Sequence, residues 1–121
     1  MTPDLAELIA VAKAAYATAT AFANQAATAA EEERVKAEQA RAQYLTACTY
    51  VDEKADLYHA SYTMHATDVL VAAIHTRDSL RNRWTDSAQR AATATGVALA
   101  AVTTAQDAYN LLAALTERPK T

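Results

Sequence analysis

The sequence predicts an all-α fold: an antiparallel bundle of three long, alanine-rich helices forming one domain. A four-helix bundle and a long helical hairpin are the alternatives. Three observations lead there. The chain holds a single glycine, Gly96, and its two prolines, Pro3 and Pro119, lie at the extremities. Gly and Pro are the strongest breakers of regular structure, so between them almost nothing forbids a helix. Alanine, the best helix former, supplies 33 of the 121 residues. Large apolar residues recur at steps of three and four, the helical period.

The first helix is predicted over about residues 3–45. Thr2 can cap it, Pro3 suits its first position, and Asp4 faces the positive end of the helix dipole. Leu5, Leu8, Ile9, Ala12, Tyr16 and Phe22 fall near one face. From Glu31 to Gln43 the segment turns charged. Glu32 with Lys36, Glu31 with Arg34 and Glu38 with Arg41 have the spacing of intrahelical ion pairs, which reads as a solvated surface. Thr28 and Glu31 fit a capping box, so a break near residues 24–28 is a further option.

The first turn is placed between Thr46 and Glu53, where Thr46, Thr49, Tyr50 and Val51 are poorer helix formers. Thr49 and Asp52 have the capping spacing that starts a second helix, over about 50–84. Its stripe runs Tyr58, Tyr62, His65, Val69, Ala73, Thr76, Leu80, Trp84. The second turn is placed at Thr85, Asp86 and Ser87, all good caps, with Arg90 paired to Asp86. Gly96 competes as a turn or as a close helix crossing. The last helix is predicted over about 87–117, with Leu99, Val102, Ala105, Tyr109, Leu112 and Leu115 inward. Arg118 in the last turn and Pro119 beyond it end the helix.

Composition narrows function more than any motif does. Hydrophobic residues make up 52% of the chain, but more than half of them are alanine. A methyl group buries little area, and burial contributes roughly 25 cal/mol per Å². A monomer built this way has a thin core. Helices can compensate by approaching closely, or the chain can bury surface against a copy of itself or another protein. The expected function is therefore a non-enzymatic assembly or interaction protein that oligomerises, of the kind found as small bacterial or phage structural components and adaptors. Arginine outnumbers lysine seven to four, a bias common in high-GC bacteria and their phages.

The net charge of -3 argues against a generic nucleic-acid binder. No stretch of 18 consecutive apolar residues appears, so membrane insertion is not expected. No charged and then apolar leader pattern is present either. The expected location is cytoplasmic or virion-associated. Cys48 stands alone, which excludes an intramolecular disulfide and reads as a small buried hydrophobe.

Candidate chemistry is sparse. Asp52, Asp56 and His59 share a helix face, with Glu53 and His65 nearby, and a carboxylate and an imidazole one turn apart can chelate a metal. No second pair of that form occurs, so solvated acids beside ordinary histidines are the expectation, with no metal and no cofactor; a metal- or ligand-binding helical bundle using Asp56, His59 and His65 is an alternative function. Tyr44, Tyr50, Tyr58 and Tyr62 crowd together, as at core edges and interfaces. Arg77, Arg81 and Trp84 align to hold a phosphate or stack a base, but Asp78 and Asp86 interrupt the positive field. No phosphate loop or nucleophile motif is present. The residues expected at a partner interface are Tyr58, Tyr62, Trp84 and Tyr109.

From Asp68 to about Glu117, and in the run from Leu80 through Trp84 and Asp86 to Ala92, the chain resembles the WXG100 family of type VII secretion. That family has helical hairpins that pair into four-helix dimers and act as secreted substrates or adaptors. The resemblance implies a helix junction at Trp84. Asp86 stands where the family carries glycine. Tyr109 is followed by Asn110, Leu111, Leu112 and Ala113 rather than by the family's acidic export signal.

Overall fold

The computed structural model describes residues 4–117, of which 96% are helical. Two helices account for this: α1, Leu5–Ala60, and α2, Met64–Thr116. They pack against each other as a helical hairpin. The bundle of three helices expected from the sequence is thus replaced by two. The expected features at Thr2, Pro3, Arg118 and Pro119 lie outside the described residues.

Neither expected turn forms. Threonine hydroxyls at the expected breaks instead donate back to the carbonyl four residues earlier. Thr46 Oγ1 bonds the Ala42 carbonyl at 3.0 Å, and Thr49 Oγ1 bonds that of Leu45 at 3.2 Å. Thr85 Oγ1 does the same to Arg81 at 3.0 Å, and Thr28 Oγ1 to Asn24 at 3.1 Å. Such back-bonding lets a threonine sit inside a helix. The chain turns at Ser61, Tyr62 and Thr63, where Thr63 Oγ1 accepts the Ala66 amide at 3.0 Å. That is an N-cap bond to the third helical residue. At the N-terminal end the Asp4 carbonyl accepts the Leu8 amide at 3.1 Å. Gly96 is neither a turn nor a crossing: it lies within α2 without positive φ, and a Cβ built on it meets nothing within 4 Å.

The chain divides into two compact units. The turn unit is Glu31–Ala91. The terminal unit comprises residues 4–30 and 92–117. Each buries one seam from each helix. In the terminal unit the α1 seam is Leu5, Ile9, Ala12, Tyr16, Ala19, Ala23, Ala26 and Ala30. The facing α2 seam is Ala94, Ala98, Ala101, Ala105, Ala108, Leu112 and Leu115. Steps of four and three alternate throughout, a 3.5-residue repeat. Ala23, Ala26 and Ala101 form its buried cluster, with Ala98 and Ala105 against it. In the turn unit the α1 seam continues in the same step from Glu33 through Ala40, Tyr44, Ala47 and Val51 to Tyr58. Its α2 counterpart runs from Ala66 through Leu70, Ala73, Arg77, Leu80, Trp84 and Ser87 to Ala91.

The seam inverts part of the expected core. Leu8, Phe22, Leu99, Val102 and Tyr109 were expected inside and are exposed. Each neighbours a seam alanine or isoleucine that faces inward. Ser87, expected as a cap, is buried in the seam. Arg90 reaches Ser87 Oγ at 3.2 Å and Glu33 at 3.8 Å, rather than Asp86. Among the charged pairs of α1, Arg34 does bind Glu31, at 2.6 Å, and also Glu38, at 2.8 Å. Lys36 takes Glu33 at 3.4 Å in place of Glu32.

Two outcomes check this packing. Gly96→Ala raises unfolding free energy by about 1 kcal/mol in a urea titration, because it improves helix propensity without meeting a neighbour. Ala26→Leu or Ala101→Leu forces the seam apart and lowers stability by about 1–3 kcal/mol. A gain from either leucine contradicts a close alanine contact.

Candidate interaction surface

The turn unit carries most of the aromatic and titratable side chains. Tyr44 and Trp84 come from opposite seams and stack, with ring centroids 5.4 Å apart at 27°. The seam phase makes this pairing, since both residues occupy inward positions. Cys48, one turn on from Tyr44, is half-buried. A hydrogen bond between the Tyr44 phenol and the Cys48 thiol holds the phenol above the usual tyrosine range. The Arg81 and Arg77 charges act in the opposite sense. Glu31 is held below the usual carboxylate range by its hydrogen bond from Arg34.

Arg77, Arg81 and Trp84 each have a neighbouring side chain as partner. Arg77 binds Asp78 at 3.2 Å, and Arg81 approaches the same carboxylate at 3.8 Å. Trp84 is engaged with Tyr44. The junction that the WXG100 resemblance places at Trp84 is absent, because α2 passes through without a break.

The structure separates the remaining candidates. Tyr58 is half-buried and meets Tyr62 edge-on at 5.0 Å. Tyr62 lies in the turn and is exposed. His59 sits beside both rings, 5.7 Å from Tyr58 and 6.4 Å from Tyr62. The turn at residues 61–63 puts His65 on the other helix from Asp52, Asp56 and His59, so these no longer share one helical surface. Among the described residues, no three His, Cys, Asp or Glu side chains gather where they could hold a metal ion. Tyr109 belongs to the terminal unit, where its ring lies 5.7 Å from that of Tyr16. The four expected interface residues are thus divided: Trp84 is occupied within the hairpin, Tyr58 and Tyr62 mark the turn, and Tyr109 flanks the other unit.

Sequence reading missed an open cleft of about 940 Å³ in the turn unit. Its lining includes the seam residues Ala47, Ala73 and Leu80, with Tyr50, Val69 and Arg83 beside them. Gln43, Thr46, Tyr50, Val69, Ala72, Thr76 and Arg83 each immediately precede a seam residue. In two antiparallel helices such positions fall on one side of the pair, because each lies about 100° from the seam. The signal is present in the sequence but becomes readable only once the seam phase is known.

The charges are unevenly distributed. No Asp, Glu, Lys or Arg occurs in residues 14–30 or 91–106. Leu8, Val11, Phe22, Val97, Leu99, Val102, Tyr109 and Leu111 are nonetheless exposed in the terminal unit. Helix α1 is also long and apolar enough near its N-terminal end to cross a membrane, by length and composition. The expectation from uninterrupted apolar runs did not register this, because scattered threonines and amides break the run without adding charge. Compared with known proteins, the chain matches no family model, no curated protein and no solved structure.

Two measurements check the Tyr44 cluster. Trp84→Ala removes its half-buried stack and costs about 2 kcal/mol in thermal or urea unfolding. Cys48→Ala lowers the midpoint of Tyr44 phenolate formation toward the ordinary tyrosine range, read by ultraviolet titration against Tyr44→Phe. An unchanged midpoint removes the thiol as the cause.

Proposed function

We propose that this chain is a non-enzymatic helical interaction protein, a coiled-coil hairpin that completes its apolar packing by associating with other helices. The observation that carries this reading is the inversion of its core. Among the described residues no large side chain is fully buried, and the buried set is Val51, seven alanines and Ser87. Fifteen large hydrophobic side chains are exposed instead. Soluble monomers rarely expose extended apolar patches, and those that do mostly use them for contact.

Surface area supports the same reading. A folded monomer of 12.9 kDa exposes about 6,300 Å² by the usual scaling with mass. This chain exposes 8721 Å², an excess of roughly 2,400 Å², comparable with what obligate assemblies bury. The 3.5-residue seam repeat fits a coiled coil. Protein helices suit the terminal unit better than lipid does. Asn24 and Gln25 carry amides and Lys13 carries a charge, for which lipid offers no partner. A role as a small structural component or adaptor, of bacterial or phage origin, is consistent with this chemistry and with the arginine-rich, alanine-rich composition.

Sedimentation of the purified chain at micromolar concentration tests the proposal. The expected result is a mass at least twice 12.9 kDa, or a stoichiometric complex with a partner co-purified from the native host. A stable monomer that brings down no partner contradicts it.

A further inference from the structure

We infer that a second copy of this chain covers one side of the terminal unit, the side carrying Leu8, Val11, Phe22, Val97 and Leu111. The inference rests on the association reading above and adds which surface associates and with what. Each of these five residues immediately precedes a seam residue: Ile9, Ala12, Ala23, Ala98 and Leu112. In the antiparallel pair those positions share one side. All five are exposed, Val11 at 68%, Leu111 at 56% and Phe22 at 54%.

The other side of this unit is less suited. There α2 presents Leu99, Val102 and Tyr109, but α1 presents Ala10, Lys13, Ala17 and Asn24. Only the first side has large apolar residues from both helices. From residue 8 inward, its only charged position is Asp107.

Charge and area point to a second copy as the occupant. A two-fold interface sets one surface against itself, so like charges would meet like. A side almost without charge avoids that conflict, and interface centres are characteristically depleted of charge. Each half-exposed side chain presents on the order of 100 Å². Together with Ala15, Thr18, Ala100 and Thr104 between them, they approach the ~800 Å² per partner of a standard interface. No acidic or basic track is present to select an oppositely charged partner.

Light scattering on the full chain across micromolar concentrations tests this. The wild type is expected as a dimer. Phe22→Lys and Val97→Lys, both at exposed helical positions, are expected to weaken it at least about 100-fold with circular dichroism unchanged. Leu99→Lys is expected to leave it intact. Because Asp107 is the one charged position on this side from residue 8 inward, dissociation is expected to change less than about threefold between low and high salt. A dimer that survives both Phe22→Lys and Val97→Lys, or that Leu99→Lys breaks equally, overturns the assignment while leaving association standing. A monomeric wild type removes both. Should the lysine variants lose helix, an environment-sensitive dye on Thr18→Cys in a Cys48→Ser background reads the same side. Emission that shifts blue with concentration supports the inference, and emission that stays water-like while the chain dimerises overturns it.

Discussion

Alanine packed against alanine is the contact on which the hairpin depends. In the terminal unit Ala23, Ala26 and Ala101 make the buried cluster, and the seam around them is alanine on both helices. Small side chains allow backbones to approach closely, and close approach raises dispersion contact over many atoms. The same choice limits how much apolar area a pair of helices can hide. It also decides where the larger residues go: with the seam occupied by methyl groups, leucine, valine and phenylalanine are displaced to its flanks. A leucine-rich seam would have reversed the arrangement, with larger residues inside and alanine outside.

The two units use the seam differently. In the turn unit it accepts polar and aromatic residues: Glu33, Arg77, Tyr44 and Trp84. Glu33 Oε2 is buried without a hydrogen-bond partner, with Arg90 of the facing helix 3.8 Å away, while Oε1 takes Lys36 of its own helix at 3.4 Å. A carboxylate in this seam disfavours sliding, because a shift carries it away from the arginine of the facing helix. Single polar residues fix register in coiled coils in this way. The terminal unit has no charged node between residues 14 and 30, where the buried polar atom is Thr20 Oγ1. Its aromatic contact is Tyr16 with Tyr109.

Helical content was legible from the missing glycines and prolines, and from alanine. The number of helices was not. Threonines at 46, 49 and 85 look like caps in sequence, since a hydroxyl serves either role; only the fold selects the back-bonded form. Thr63 was the true cap but lacks the acidic residue three positions later that marks a capping box. Steps of three and four through Tyr58, Tyr62, His65 and Val69 also run unbroken across the turn. The core was misread for a related reason. The helical period through the largest residues marks the flanks, and here the smallest ones face inward. The Tyr44–Trp84 pair and the cleft both follow from the seam phase, which is set by tertiary packing. The metal reading of Asp56, His59 and His65 assumed one continuous helix across a position where the chain turns.

The central claim is that the alanine seam does not by itself account for the native packing, and that association supplies the remainder. The concentration dependence of thermal unfolding tests this most directly, because binding of the native state raises the apparent midpoint by mass action. Circular dichroism melts over a hundredfold range of chain concentration are expected to show Tm rising steadily with concentration, with a single transition. A Tm independent of concentration, with complete helix at the lowest concentration, would contradict the account and establish the hairpin as self-sufficient.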